Sequence, residues 1–106
     1  MTFCLDTIVV KPEKNQEIKN AIILLHGYGG DGKDISAVIL NWKRHLPNTV
    51  FICPNGHEKC SINPSGYQWF DLTKEDPSYI IGQSTLAEKK LNKFIGEVKN
   101  EFNLKN

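Results

Sequence analysis

The stretch from His26 to Asp34, reading His-Gly-Tyr-Gly-Gly-Asp-Gly-Lys-Asp, concentrates glycines, charge and an imidazole in one place. Two chemistries suit it. Gly27 to Lys33 fills the first seven places of a G-x-x-x-x-G-K-[ST] loop, whose backbone N–H groups and lysine cradle phosphates. The next place should hold a hydroxyl for magnesium. Asp34 stands there instead, and Asp31 adds a negative charge where a triphosphate would sit. No later strand ending in Asp offers a second metal-binding element, so a P-loop-like nucleotide binder is the minor reading. The other chemistry is acyl transfer: His26-Gly27-Tyr28-Gly29 has the form of an oxyanion loop, in which glycines let backbone N–H groups face a developing alkoxide. The same glycines also make the sharp corner that a strand-to-helix connection needs, so the loop alone leaves the choice open.

Other reactive side chains are sparser. Cys53, His57 and Cys60 form a Cys-x3-His-x2-Cys array, but structural zinc wants four ligands. Cys4, His26 and His45, the remaining candidates for the set, belong to other expected elements. The reading is no metal and reduced thiols, since three cysteines are odd in number and too few for a disulfide framework. Cys60 near His57 could be a thiol nucleophile, yet nothing in the pattern orients the pair. Gly82-Gln83-Ser84-Thr85-Leu86 is the nearest approach to a G-x-S-x-G nucleophile elbow. It lacks the last glycine, and Leu86 would obstruct the close strand-to-helix approach, so Ser84 reads as a helix-start residue.

These residues need elements to position them. Phe3 to Val10 alternates loosely, and the polar stretch Lys11 to Asn20 with Pro12 and Asn15 suggests a turn and an N-terminal hairpin. Ala21 to His26 is a short apolar run stopped by Gly27, the pattern of a central strand buried on both faces. Ile35, Val38, Ile39, Trp42 and Leu46 recur at helical spacing, with Asp34 as N-cap and Pro47 as stop. Thr49 to Cys53 reads as a second buried strand, completing a parallel βαβ unit with a right-handed crossover. Pro54 to Gly82 reads as a long loop, but Tyr67, Trp69 and Phe70 would be costly to leave in water, so it should pack over something. Leu91, Phe94, Ile95, Val98 and Phe102 line one face of a last helix, with Thr85 and Glu88 as its capping box. The class is α/β: about three strands, two helices and a long aromatic-containing loop.

Composition excludes several roles. With 13 basic against 12 acidic side chains, interleaved along the chain, there is no electrostatic footprint for nucleic acid. The longest apolar run, Ala21 to Leu25, is far short of the ~20 residues of a membrane span. Asp6 interrupts the start before a secretory signal could form, which points to a cytoplasmic chain.

Three blocks then carry a resemblance: Ile22 to Asp34, Phe51-Ile52-Cys53-Pro54-Asn55, and Asn63 to Leu72, reading Asn-Pro-Ser-Gly-Tyr-Gln-Trp-Phe-Asp-Leu. In this order and spacing they resemble the phospholipase/carboxylesterase branch of the α/β-hydrolases, which includes acyl-protein thioesterases. The resemblance implies a cytosolic serine hydrolase of esters or thioesters with a Ser-Asp-His triad and no cofactor. It makes the N–H of Tyr28 one oxyanion donor with Gly29 beside it, and His26, Gly27 and Gly30 the support of that loop. It sets Trp69 and Phe70 at the acyl-binding cleft. The family's G-x-S-x-G elbow, Asp and His have no counterpart among the 106 residues, so no catalytic side chain is assigned. The resemblance thus implies an incomplete α/β-hydrolase fold, residues 1–106 being the N-terminal portion of one domain. Such a chain would act on an ester or thioester only when complemented by a C-terminal part. Alternatively, it is a non-enzymatic remnant that binds a partner or itself through the exposed edge of strand Ala21 to His26.

Overall fold

In the computed structural model, which describes residues 3–105, the six residues of Thr49–Pro54 are all buried. They form β3, the middle of a three-stranded sheet. Its side chains alternate across the sheet as the pleat requires. Val50 and Ile52 enter a core with Leu5, Phe94 and Val98, while Phe51 and Cys53 enter a second core with Ile39.

β1 (Thr7–Val10) pairs antiparallel to β3, with Val9 opposite Ile52. β2 (Asn20–Ile23) pairs parallel to it, with Ile22 opposite Phe51. The order β1-β3-β2 corrects one expectation. The first two strands do not form a hairpin, because β3 lies between them: both gain more by flanking its unbroken apolar run than by pairing across a long polar connection. The strand in Ala21 to His26, read from its apolar run as central, is β2 at an edge of this sheet, the position expected of it in an incomplete fold. The parallel βαβ unit is present.

One face of the sheet is covered by a broken helical segment: α1 (Gly32–Ile35), a 3-10 turn at Ser36–Val38, α2 (Ile39–Trp42) and a 3-10 turn at Lys43–His45. The periodicity predicts a single helix here. β-Branched Ile35, Val38 and Ile39 and polar Ser36 have modest helix propensity, and the Ser36 hydroxyl donates to the Lys33 carbonyl at 2.6 Å. The N-cap is Asp31 rather than Asp34: its Oδ1 accepts the Asp34 N–H at 2.7 Å.

The other face carries α3 (Pro77–Glu101), which buries Ala87, Phe94 and Val98. It begins eight residues before the expected capping box, with Asp76 accepting the Ser78 N–H and Pro77 in the first turn. Thr85 therefore lies inside the helix, its hydroxyl donating to Ile81 O at 2.9 Å. Ser84 is also inside the helix, not at its start, and its hydroxyl donates to the same carbonyl at 3.1 Å. The stretch read as a long loop holds a small antiparallel pair, β4 (Glu58–Lys59) and β5 (Tyr67–Gln68).

Candidate functional site

At the carboxyl end of β2 the chain passes through buried His26 into the glycine turn. The Gly56 N–H donates to His26 Nε2 at 2.8 Å, so the proton of the neutral ring sits on Nδ1 and is donated to Gly27 O at 2.6 Å. The imidazole stacks on Trp69 with ring centres 5.2 Å apart, and the Trp69 indole N–H donates to His26 O at 3.1 Å. With both nitrogens committed to backbone, His26 holds the loop.

The segment around β5 clamps this turn from the other side. Gly29 N–H donates to Tyr67 O at 3.0 Å, Tyr67 N–H donates to Gly30 O at 2.8 Å, and the Asn63 side-chain amide donates to Gly29 O at 2.9 Å. Gly29 takes φ of 81°, a conformation that a side chain would strain. A Cβ on Gly66 would collide with Gly29 O, so only glycine lets the two backbones meet.

These bonds decide which amides remain available. The Gly30 N–H donates to Gly27 O, Gly32 N–H to Asn55 Oδ1 at 2.7 Å, and Asp34 N–H to Asp31. A phosphate would need those same donors, so the loop is not prepared to cradle one. Beside Tyr28, the Gly29 N–H is already engaged by Tyr67 O. Among the described residues the Tyr28 N–H donates to none. Tyr28, Trp69, Phe70 and Leu72 line a cavity of about 100 Å³. The structure thus brings Tyr28 together with Trp69 and Phe70; Cys53, His57 and Cys60 form no cluster able to hold a metal among the described residues.

Three features are not apparent from the sequence pattern. Asn63-Pro64-Ser65-Gly66 carries a strong turn signature, and that signal could have marked Asn63 and Gly66 as the clamp. Asp71 Oδ1 accepts the Thr73 hydroxyl at 2.6 Å and N–H at 2.9 Å, Ser61 Oγ at 3.1 Å and Tyr28 OH at 3.3 Å. The Thr73 bonds lead in holding its carboxyl below the usual carboxylate range, with Ser61 and Tyr28 adding to them. His57 has both ring nitrogens buried without a partner among the described residues, its ring 6.4 Å from that of Trp69. Burial pushes its pKa down, Lys90 adds to this, and Glu58 opposes it.

A family model described as Phospholipase/Carboxylesterase matches residues 6–105. Among solved structures, this chain is similar to the crystal structure of esterase PE8, with a TM-score of 0.81 and 29% sequence identity over 94% of its own length. It spans 47% of that esterase, so the sheet and helices described above correspond to about half of the esterase's α/β-hydrolase fold.

Proposed function

The chain belongs to the phospholipase/carboxylesterase family, and from that premise we propose that residues 1–106 are the N-terminal portion of one cytoplasmic α/β-hydrolase domain that cleaves carboxylic esters or thioesters, as acyl-protein thioesterases do. The portion supplies the oxyanion loop and the acyl-facing aromatics. A C-terminal part supplies the serine, aspartate and histidine, and no cofactor takes part. One observation carries this reading: among the described residues the Tyr28 N–H meets no acceptor while the next two amides, those of Gly29 and Gly30, are committed, and Tyr28 lines a cavity together with Trp69 and Phe70.

In the completed site, the serine oxygen attacks the acyl carbonyl while Trp69 and Phe70 hold the acyl chain. The carbonyl oxygen becomes an alkoxide, and the Tyr28 N–H donates to it as its charge develops, which lowers the barrier because the donor is already oriented. The triad histidine of the C-terminal part takes the serine proton and returns it to the leaving alcohol or thiol. His26 holds no share in this proton traffic, since both its nitrogens are tied to backbone.

The test mixes this chain with a C-terminal segment carrying G-x-S-x-G and the family's Asp and His. Ester hydrolysis and labelling of the serine by a fluorophosphonate should appear only in the mixture. A mixture that stays inert and never co-purifies would sink the proposal. The second reading, a self-associating or partner-binding remnant, is favoured by the β2 edge together with exposed Leu25, Ile81 and Ile95. It requires that no mixture hydrolyses an ester.

A further inference from the structure

The Tyr28 side chain runs away from its own backbone amide and ends in a polar knot that the hydrolase reading does not use. Its hydroxyl lies 3.0 Å from Ser61 Oγ and 3.3 Å from Asp71 Oδ1, while Ser61 Oγ donates to the same oxygen at 3.1 Å. A self-consistent arrangement has the Tyr28 O–H shared between Ser61 and Asp71 and the Ser61 proton on the carboxylate. Asp71 is itself held from two directions: both Thr73 donors converge on Oδ1, and the Asp71 N–H donates to the Tyr79 hydroxyl at 3.1 Å. Tyr79 belongs to the first turn of α3.

Resting on the function proposed above, we infer that Asp71, with Ser61, is a positioning residue: it anchors the Tyr28 hydroxyl to the start of α3 and so fixes the direction in which the Tyr28 N–H points. The geometry gives the anchor a specific use. The Asn63 and Tyr67 bonds hold the turn at Gly29 and Gly30, and among the described residues the peptide between Gly27 and Tyr28 has no bond of its own on the donor side. The hydroxyl is the tether of residue 28 itself. A carboxylate is the right end for it, because a charged acceptor makes a stronger bond than a neutral one and can take several donors at once.

Amide hydrogen exchange on the isolated chain tests the anchor without any need for activity. Tyr28→Phe deletes the hydroxyl and keeps the backbone N–H. It should speed exchange at Gly29 roughly five- to tenfold, as loss of one net hydrogen bond implies, while Ile52 in β3 exchanges as before. Ser61→Ala and Asp71→Ala should do the same, and Asp71→Asn, which retains an acceptor oxygen, should recover most of the protection. Unchanged exchange at Gly29 in Tyr28→Phe overturns the inference. If Asp71→Ala loosens the whole sheet, the exchange measured in Tyr28→Phe decides the matter, since loss of one surface hydroxyl leaves the core intact.

In the reconstituted mixture, Tyr28→Phe should lower kcat about tenfold or more with KM little changed, the signature of a misdirected transition-state donor. A raised KM at unchanged kcat would make the hydroxyl a substrate contact and overturn the positioning role. An inert wild-type mixture would defeat the hydrolase reading alone, and the exchange data would still decide the anchor.

Discussion

At His26 a neutral ring accepts one backbone N–H and donates to a neighbouring carbonyl, so His26→Ala would strand the buried Gly56 amide as well as remove the stack on Trp69. An unsatisfied buried donor costs about 1–3 kcal/mol, and urea unfolding of the variant should show at least that loss. His57 behaves differently because it has no partner to lose among the described residues. Its pKa in the folded chain lies below the ordinary 6.5, with burial as the main cause. Below that pH the unfolded chain takes up a proton that the folded chain resists, so the His57 contribution is fully present above pH 6.5 and fades as the pH falls. His57→Phe should therefore flatten part of the decline in the urea midpoint between neutral and mildly acidic pH. A variant whose midpoint tracks the wild type throughout would show that the ring is not sheltered.

At the scale of elements, the clamp between the glycine turn and the β4–β5 pair depends on backbone contact. Gly66→Ala would push a methyl into Gly29 O, and the displacement should cost about 1–3 kcal/mol, as overpacking does. Its second sign should be faster proteolysis or exchange around residues 58–70, because the pair is only two residues long on each strand. The start of α3 offers a sharper comparison. Asp76→Ala removes the true cap and should lower stability by about 1 kcal/mol, whereas Thr85→Ala, in mid-helix, should change it by less than about 0.5 kcal/mol. Reversal of that order in thermal unfolding would restore the capping box suggested by Thr85 and Glu88.

For the whole molecule, the Cα radius of gyration is 15.0 Å, above the ~13 Å of a compact domain near this length. A 25-residue helix runs about 37 Å, well beyond the reach of strands of four to six residues. Consequently Ile80, Ile81 and Leu86, in the first half of α3, stay exposed, as do Leu25 past β2 and Ile95 on the helix. No helix among the described residues is long and apolar enough to cross a membrane. Such a surface should make the isolated chain associate with concentration in sedimentation experiments. The paired variant Leu25→Lys and Ile81→Lys should shift it toward monomer with stability within about 0.5 kcal/mol for each exposed substitution. A wild-type chain that stays monomeric at high concentration would mean that the apolar edge is covered in some other way.

What the residues decided unaided was local and covalent in range. The apolar run of Thr49 to Cys53, the glycine turn after His26, the amphipathic face of Leu91 to Phe102 and the three blocks that carry the family resemblance all follow from side-chain type at short spacing. Tertiary structure alone decided the strand order, because pairing energy depends on which strand offers an apolar run on both faces, and β3 outcompetes the neighbour next in sequence. It also decided where α3 begins. A cap is chosen by which carboxylate reaches free N–H groups, and Asp76 reaches them before Thr85 can. Which of the Tyr28 and Gly29 amides is engaged is likewise a matter of space: both look equivalent along the chain, and only the approach of Tyr67, through the gap left by Gly66, commits that of Gly29.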